Sequence, residues 1–350
     1  MSEEKQFKFD VVIGNPPYQD ETKGDNKRYA PPIYDKFIDG AYKTGKIVEL
    51  IHPGRFLFNA GSTPKSWNKK MLNNPHLKII YYEQDSAKVF PNTDIKGGIA
   101  VSYKDDGLIL GPIGVFSPYP IVNSILKKVT QSEDFSSLSE IIYSRTAYRF
   151  TDEMHKENPN AHSKLSKGHD YDVSSNIFER LPEIFYESEP VDGENYIKIL
   201  GRVDGNRTFR YIKKKYINAI DNTSGWKVVV PQANGTGELG EKISHPEVIG
   251  PDTGSTETFI EIGNCTSKNE ANNVVKYIKT KFCRLMLGVL KITQNGNKPV
   301  WRLVPLQDFT ANSDIDWTKS IPEIDQYLYK KYNLSPEETD FIETHVKEMD

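Results

Sequence analysis

The sequence predicts an α/β protein: a doubly wound parallel sheet with an antiparallel component near its end, followed by a mixed α/β region. Three observations carry this prediction. Apolar runs at 9–14, 46–52, 77–83 and 97–103 read as strands. Segments with helical spacing or helix-start signals separate the first of them, the alternation expected of strand-helix units. The turn-rich "DDGLILGPIG" at 105–114 then marks a change of pattern.

In chain order, "FDVVIG" (9–14) is a continuous apolar run of the kind buried on both faces. A helix over 32–42 follows, with Ile33, Phe37 and Ala41 on one face. "KIVELIH" (46–52) is the next strand, and Thr63 before Pro64 reads as an N-cap opening a helix that carries Trp67 and Met71. "LKIIYYE" and "GGIAVSY" are two further strands joined by "QDSAKVFPNTDIK". The domain boundary is placed after residue 112, giving domains at 1–112 and 113–350. The second domain opens with a helix bearing Ile121, Val122, Ile125 and Val129, then a polar, irregular stretch from Thr151 to Ser175. Strands at 196–200 and 226–230 follow. Ser-x-x-Glu boxes at Ser267/Glu270, Ser320/Glu323 and Ser335/Glu338 announce three helices. The first is expected to be long, with Ala271, Val274, Val275, Ile278, Phe282, Leu285 and Val289 on one face.

The chain has 350 residues, 37% hydrophobic and 27% charged, enough for two domains. Its start, "MSEEKQFKFD", has no apolar signal core, and no run approaches a membrane span, so a soluble cytoplasmic protein with no membrane partner is expected. Cys265 and Cys283 form no CxxC pair and are expected as free thiols. A net charge of −3 excludes a globally basic nucleic-acid binder and leaves room for local basic patches.

The chemistry lies in Asn15-Pro16-Pro17-Tyr18, which follows the first strand at its carboxyl end, where ligands of open α/β sheets bind. One reading is a rigid strand-to-loop turn. The other is a set of acceptors: the two prolines fix φ and remove donors, so the Asn15 side-chain carbonyl and the Pro16 backbone carbonyl point outward. The motif resembles the catalytic motif of amino-methyltransferases that methylate N6 of adenine in DNA. In such a site the two carbonyls each take one N6 hydrogen, and Tyr18 supplies a face for the flipped base.

"FDVVIGNPPYQ", "IVELIHPGRFLF" and "AKVFPNTDIKGGIAVSY" together resemble the methylase core of the large type IIG restriction-modification methylases. The resemblance implies a partial Rossmann-like methyltransferase core. It also implies that Phe90, in the Val-Phe-Pro segment, lines the target-base pocket; a hairpin core position is the alternative. Segments from "WKVVVPQANGTGELGE" to "KPVWRLVPLQDF" resemble the DNA-specificity domain of the same proteins.

The family holds S-adenosylmethionine on a Gly-rich turn ahead of the catalytic motif in this order, and no such turn precedes Asn15. The single G-x-G-x-x-G, Gly235 to Gly240, follows a strand but runs into "EKISHPEVIGPDTG", where no helix can start, and is expected to be a flexible loop without cofactor. The cofactor-binding residues therefore stay unknown, and the isolated chain is expected to be incomplete, inactive alone and weak in binding S-adenosylmethionine. His155, His162 and His169 recur every seven residues in the polar stretch and are expected in a solvated or DNA-facing loop, not at a metal. "NRTFRYIKKKYI" carries Arg207, Arg210, Lys213, Lys214 and Lys215 among aromatics, either a phosphate-binding strip or the charged face of an amphipathic element.

The function expected is the part of a site-specific adenine-N6 DNA methyltransferase that positions the target base and reads sequence. Its partners are double-stranded DNA and a half or subunit that binds S-adenosylmethionine. The first strand, if unpaired on one side, is expected to self-associate or accept that partner. The alternatives are a non-catalytic DNA-binding specificity module or degenerate fragment, and an unrelated α/β protein with an accidental motif.

Overall fold

The structure is a computed structural model that describes residues 8–20, 30–59, 62–95, 97–218 and 220–349. It divides into two units, Met1–Asn123 and Ser124–Asp350, so the division falls beyond the expected 112/113 boundary.

The first unit begins with β1 (Phe9–Gly14), α1 (Tyr34–Thr44) and β2 (Gly45–Pro53). The chain passes from α1 into β2 without a loop, and Gly45 makes this possible. It sits opposite Phe9 in register, and a Cβ there would meet Val12 Cγ2 at 2.7 Å. Then come α2 (Lys65–Leu72), β3 (Leu77–Glu83) and β4 (Ile99–Asp105). The sheet order is β1-β2-β4-β3. β1 and β2 are parallel, whereas β4 is antiparallel to both neighbours. Among the described residues the α/β class holds, but antiparallel pairing dominates where a mainly parallel sheet was expected. β3 and β4 are neighbours in both sequence and sheet, and they pair antiparallel through the turns between them.

Two local expectations change. The core face of α1 is centred on Tyr34, Ile38 and Tyr42, with Ala41 packed at its edge and Ile33 and Phe37 outside the buried set. The face lies one residue further on, a rotation of about 100°, and Phe37 stays 47% exposed. Thr63 does not cap α2. Its hydroxyl donates to Asn68 Oδ1 at 2.7 Å, and Pro64 occupies the cap position. Phe56, Trp67, Met71, Leu77 and Ala100 complete the core.

The division between the units lies within α3 (Pro120–Thr130). The second unit contains β5 (Ile142–Tyr143), α4 (Asp152–Glu157), α5 (Ala161–Lys164), α6 (Ile177–Arg180), β6 (Tyr196–Val203), β7 (Asn206–Lys213), β8 (Trp226–Pro231), β9 (Glu247–Ile249), β10 (Thr253–Ser255) and β11 (Phe259–Cys265). Four helices follow: α7 (Lys268–Lys279), α8 (Lys281–Gly288), α9 (Ile321–Lys331) and α10 (Pro336–His345). The strands form a three-stranded sheet, β10-β6-β7, and a four-stranded antiparallel one, β5-β11-β8-β9. The stretch from Thr151 to Ser175 is not irregular throughout. It forms α4 and α5, and Met154 and Ala161 join the core of this unit.

The long helix expected after Ser267 is two helices. Thr280 ends the first by donating its hydroxyl to Tyr277 O at 2.7 Å and caps the second by accepting from Cys283 N at 3.1 Å. The carboxylate of Asp325, on α9, accepts the N–H groups of Lys281 and Phe282, both at 2.9 Å, so the break is held from outside as well. Ser320 and Ser335 form full capping boxes. Ser267 caps Glu270 N, but the Glu270 carboxylate turns to Thr266. Both cysteines are buried and free.

Candidate active site

β1 delivers Asn15 to Tyr18 at its carboxyl end, beside the carboxyl end of its parallel neighbour β2. The segment is tied down by its backbone. Tyr18 O accepts from Ile33 N at 3.2 Å and Asp20 N donates to Pro31 O at 2.9 Å, so the motif lies against the chain that enters α1. No peptide bond among the described residues is cis.

Three of the four motif residues face two hollows. Asn15 and Pro16 line an open, mainly apolar groove of about 560 Å³ with Val12, Ile13, Phe37, Gly40 and Leu50. Tyr18 lines a more enclosed cavity of about 250 Å³ with Tyr34, Pro53, Arg55, Asp94 and Ile95. Pro17 is exposed between them. The Asn15 side chain is exposed and makes no hydrogen bond among the described residues, so its carbonyl is available as an acceptor. Among the described residues the Tyr18 hydroxyl is buried without a partner, and burial raises its pKa. The cavity exceeds the ~150 Å³ hollow that accepts a benzene ring.

The wall opposite Tyr18 rests on a buried polar pair. His52 lies wholly inside the unit, where burial lowers its pKa to about 4, so the ring is neutral near pH 7. Its Nδ1–H donates to Pro53 O at 3.1 Å, because a carbonyl can only accept. Nε2 therefore accepts from the Ser102 hydroxyl at 2.9 Å. The ring stacks on Tyr34, with centroids 6.2 Å apart and planes within 5°. Burial pushes the Tyr34 phenol up to about 12, and a hydrogen bond with Thr63 and the charge of Arg55 work against that rise.

Phe90 is half-buried and is not among the side chains lining this cavity. It contributes through its backbone, accepting from the Thr93 hydroxyl at 2.7 Å, while Ser86 Oγ accepts from Ile95 N at 2.8 Å. Together these bonds hold the turn that carries Asp94 and Ile95. Pattern reading missed Tyr34, Arg55 and Asp94. The signal available was position: Pro53 ends β2 and Arg55 follows it, as Asn15 follows β1.

The other predicted residues lie in the second unit. Each cation of the strip has an acidic partner: Arg207 with Glu247 at 2.5 Å, Arg210 with Glu187 at 2.8 Å, Lys213 with Glu194 at 2.9 Å, Lys214 with Asp252 at 2.7 Å and Lys215 with Glu157 at 2.6 Å. The histidines do not converge, and His155 is not solvated. It is buried and stacked on His162 with centroids 4.1 Å apart, whereas His169 pairs with Asp172 at 2.7 Å.

The Gly235 loop opens no helix, and its backbone is tied to a carboxylate. Thr236 N donates to Glu241 Oε2 at 2.6 Å and Gly237 N to the same carboxylate at 3.1 Å, and buried Lys291 pairs with it. A Cβ on Gly235 would collide with that carboxylate. The anion cradle of this G-x-G-x-x-G is thus filled by the chain's own glutamate.

The motif thus ends a strand with exposed carbonyl oxygen beside a ring-sized cavity. Comparison with known proteins indicates a class. Residues 2–90 match the family model described as Eco57I restriction-modification methylase. A protein of Mycoplasma pneumoniae described as an uncharacterized adenine-specific methylase is 35% identical over 95 residues, covering 27% of this chain and 22% of its own length. The resemblance of this N-terminal stretch to restriction-modification adenine methylases is therefore shown, and it supports a methyltransferase role. Among solved structures, the type IIG restriction endonuclease BpuSI aligns over 93% of this chain and 49% of its own, at 11% identity and a TM-score of 0.34, too distant to bear on the fold. The chain spans about a fifth of the curated relative and about half of that structure. Among the described residues no helix is long and apolar enough to cross a membrane.

Proposed function

We propose that the chain is the base-positioning and DNA-reading portion of a site-specific adenine-N6 DNA methyltransferase. The observation that carries this is the placement of Asn15 to Tyr18. The motif ends β1 with two acceptors on an open groove, and its tyrosine lines an adjacent ring-sized cavity. In this reading an adenine extruded from the duplex enters the cavity beside Tyr18 and presents N6 toward Asn15. The Asn15 carbonyl and the Pro16 backbone carbonyl accept the two N6 hydrogens and draw electron density onto nitrogen. As the N–CH₃ bond forms, the S–CH₃ bond breaks and the surplus N6 proton leaves to solvent.

S-adenosylmethionine supplies the electrophilic methyl when bound. The described residues offer acceptors for the amine but no cradle for that cofactor, since the single G-x-G-x-x-G is filled by Glu241. We assign the cofactor's binding to a further segment or subunit that approaches β1. Phe9, Val11 and Ile13 are 51%, 51% and 75% exposed, β1 pairs with β2 alone among the described residues, and the apolar face of α1 carrying Phe37 lies open beside it. An edge of that kind invites a further strand. The second unit is proposed to read the DNA sequence. Methyl transfer from labelled S-adenosylmethionine to unmethylated phage DNA tests the reading, with and without a candidate cofactor-binding chain. Incorporation must depend on Asn15 and appear as N6-methyladenine.

A further inference from the structure

We infer that Arg55 anchors a phosphate of the nucleotide whose base occupies the Tyr18 cavity. The inference rests on the reading above and names a contact beyond it. Arg55 supplies the cationic group of the cavity wall, alongside the phenols of Tyr18 and Tyr34. Its placement is built in. Gly54 N donates to Gly98 O at 2.8 Å, fixing the turn before Arg55 against the one that precedes β4. Gly97, at φ +87°, lies so close to the arginine stem that a Cβ there would stand 2.6 Å from Arg55 Cγ and 3.1 Å from its Cα. The missing side chain lets the stem lie against this turn. A stem held in this way leaves less side-chain freedom to lose when the guanidinium meets an anion, and the planar donors of arginine match a phosphate.

Asp94 in the same wall restrains the charge a ligand can bring. That favours a single phosphodiester charge over a free polyphosphate. The chemical class is therefore a purine nucleotide embedded in a strand, with base and adjoining phosphate held by one cavity.

The test uses the full chain, with 2′-deoxyadenosine, its 5′-monophosphate and its 3′-monophosphate titrated separately at low salt and followed by NMR shifts. One of the two monophosphates is expected to bind about tenfold more tightly than the nucleoside, the scale of one charge-assisted contact. That gain should shrink as salt is added, disappear in Arg55→Gln and survive in part in Arg55→Lys, which keeps the stem against Gly97. A gain that is the same in Arg55→Gln, or that ignores salt in the unaltered chain, overturns the inference. Nucleoside binding with no phosphate gain also overturns it and leaves the base-pocket reading standing. Failure of all three compounds to bind at millimolar concentration overturns both.

Discussion

The buried imidazole behind the cavity makes stability depend on pH in a way that can be worked out. His52 is neutral in the folded unit, with its pKa lowered to about 4 against 6.5 when exposed, because burial penalises the charged ring. Above pH 6.5 neither state is protonated and the full stability is present. Between 6.5 and 4 the unfolded chain takes up a proton that the folded chain refuses, so stability falls as pH falls. At ~1.4 kcal/mol per pH unit the loss approaches about 3 kcal/mol and levels off below pH 4. His52→Gln removes the titrating group. The stability difference between the natural chain and this variant should therefore shrink by about 3 kcal/mol from pH 7.5 to 4. Urea unfolding measures it, and Trp67, whose ring lies edge-on to Tyr34 and Phe56, reports on the unit concerned. A difference that stays flat over this range, or His52 ring protons that titrate near 6.5 in the folded chain, would refute the reasoning.

Asn15→Ala, in a complex that transfers methyl groups, should cost turnover on the order of a hundredfold and leave DNA affinity nearly unchanged, as filter binding beside the methylation assay would show. Equal losses in both would make Asn15 structural. Ile13→Lys should reduce self-association through the β1 edge, read by light scattering with hydrogen exchange at Asp10 to Ile13; an unaltered chain that stays monomeric at high concentration with those amides unprotected would remove the argument for a completing strand. Glu241→Ala leaves Lys291 and two backbone N–H groups without their carboxylate and should destabilise the second unit by about 3 kcal/mol in thermal or urea melts, without creating affinity for S-adenosylmethionine in calorimetry. Because Arg207, Arg210, Lys213, Lys214 and Lys215 already hold carboxylates, replacing any one of them should lower the salt slope of DNA binding by less than the full unit expected of an unpaired phosphate contact.

β1 and the turn that ends it were legible in the sequence because they are local: a short apolar run ends at two consecutive prolines, which fix φ and stop the strand. The boxes at Ser320 and Ser335 were legible for the same reason, since a cap spans three residues. Interactions between distant residues decided the rest. The face of α1 that packs inward was set by what β2 and α2 offer, and its second apolar face was left open beside β1. Thr280 breaks a continuous helical pattern because Asp325, 45 residues away, holds the new N-terminus. The basic strip reads from sequence as either a phosphate surface or a charged face, and folding brings Glu247, Glu187, Glu194, Asp252 and Glu157 to its cations. Arg55 and Asp94 enter the same cavity because parallel pairing sets the end of β2 beside that of β1 and Ser86 ties down the 93–95 turn. Spacing along a chain carries no record of such meetings, which are fixed by strand register and close packing.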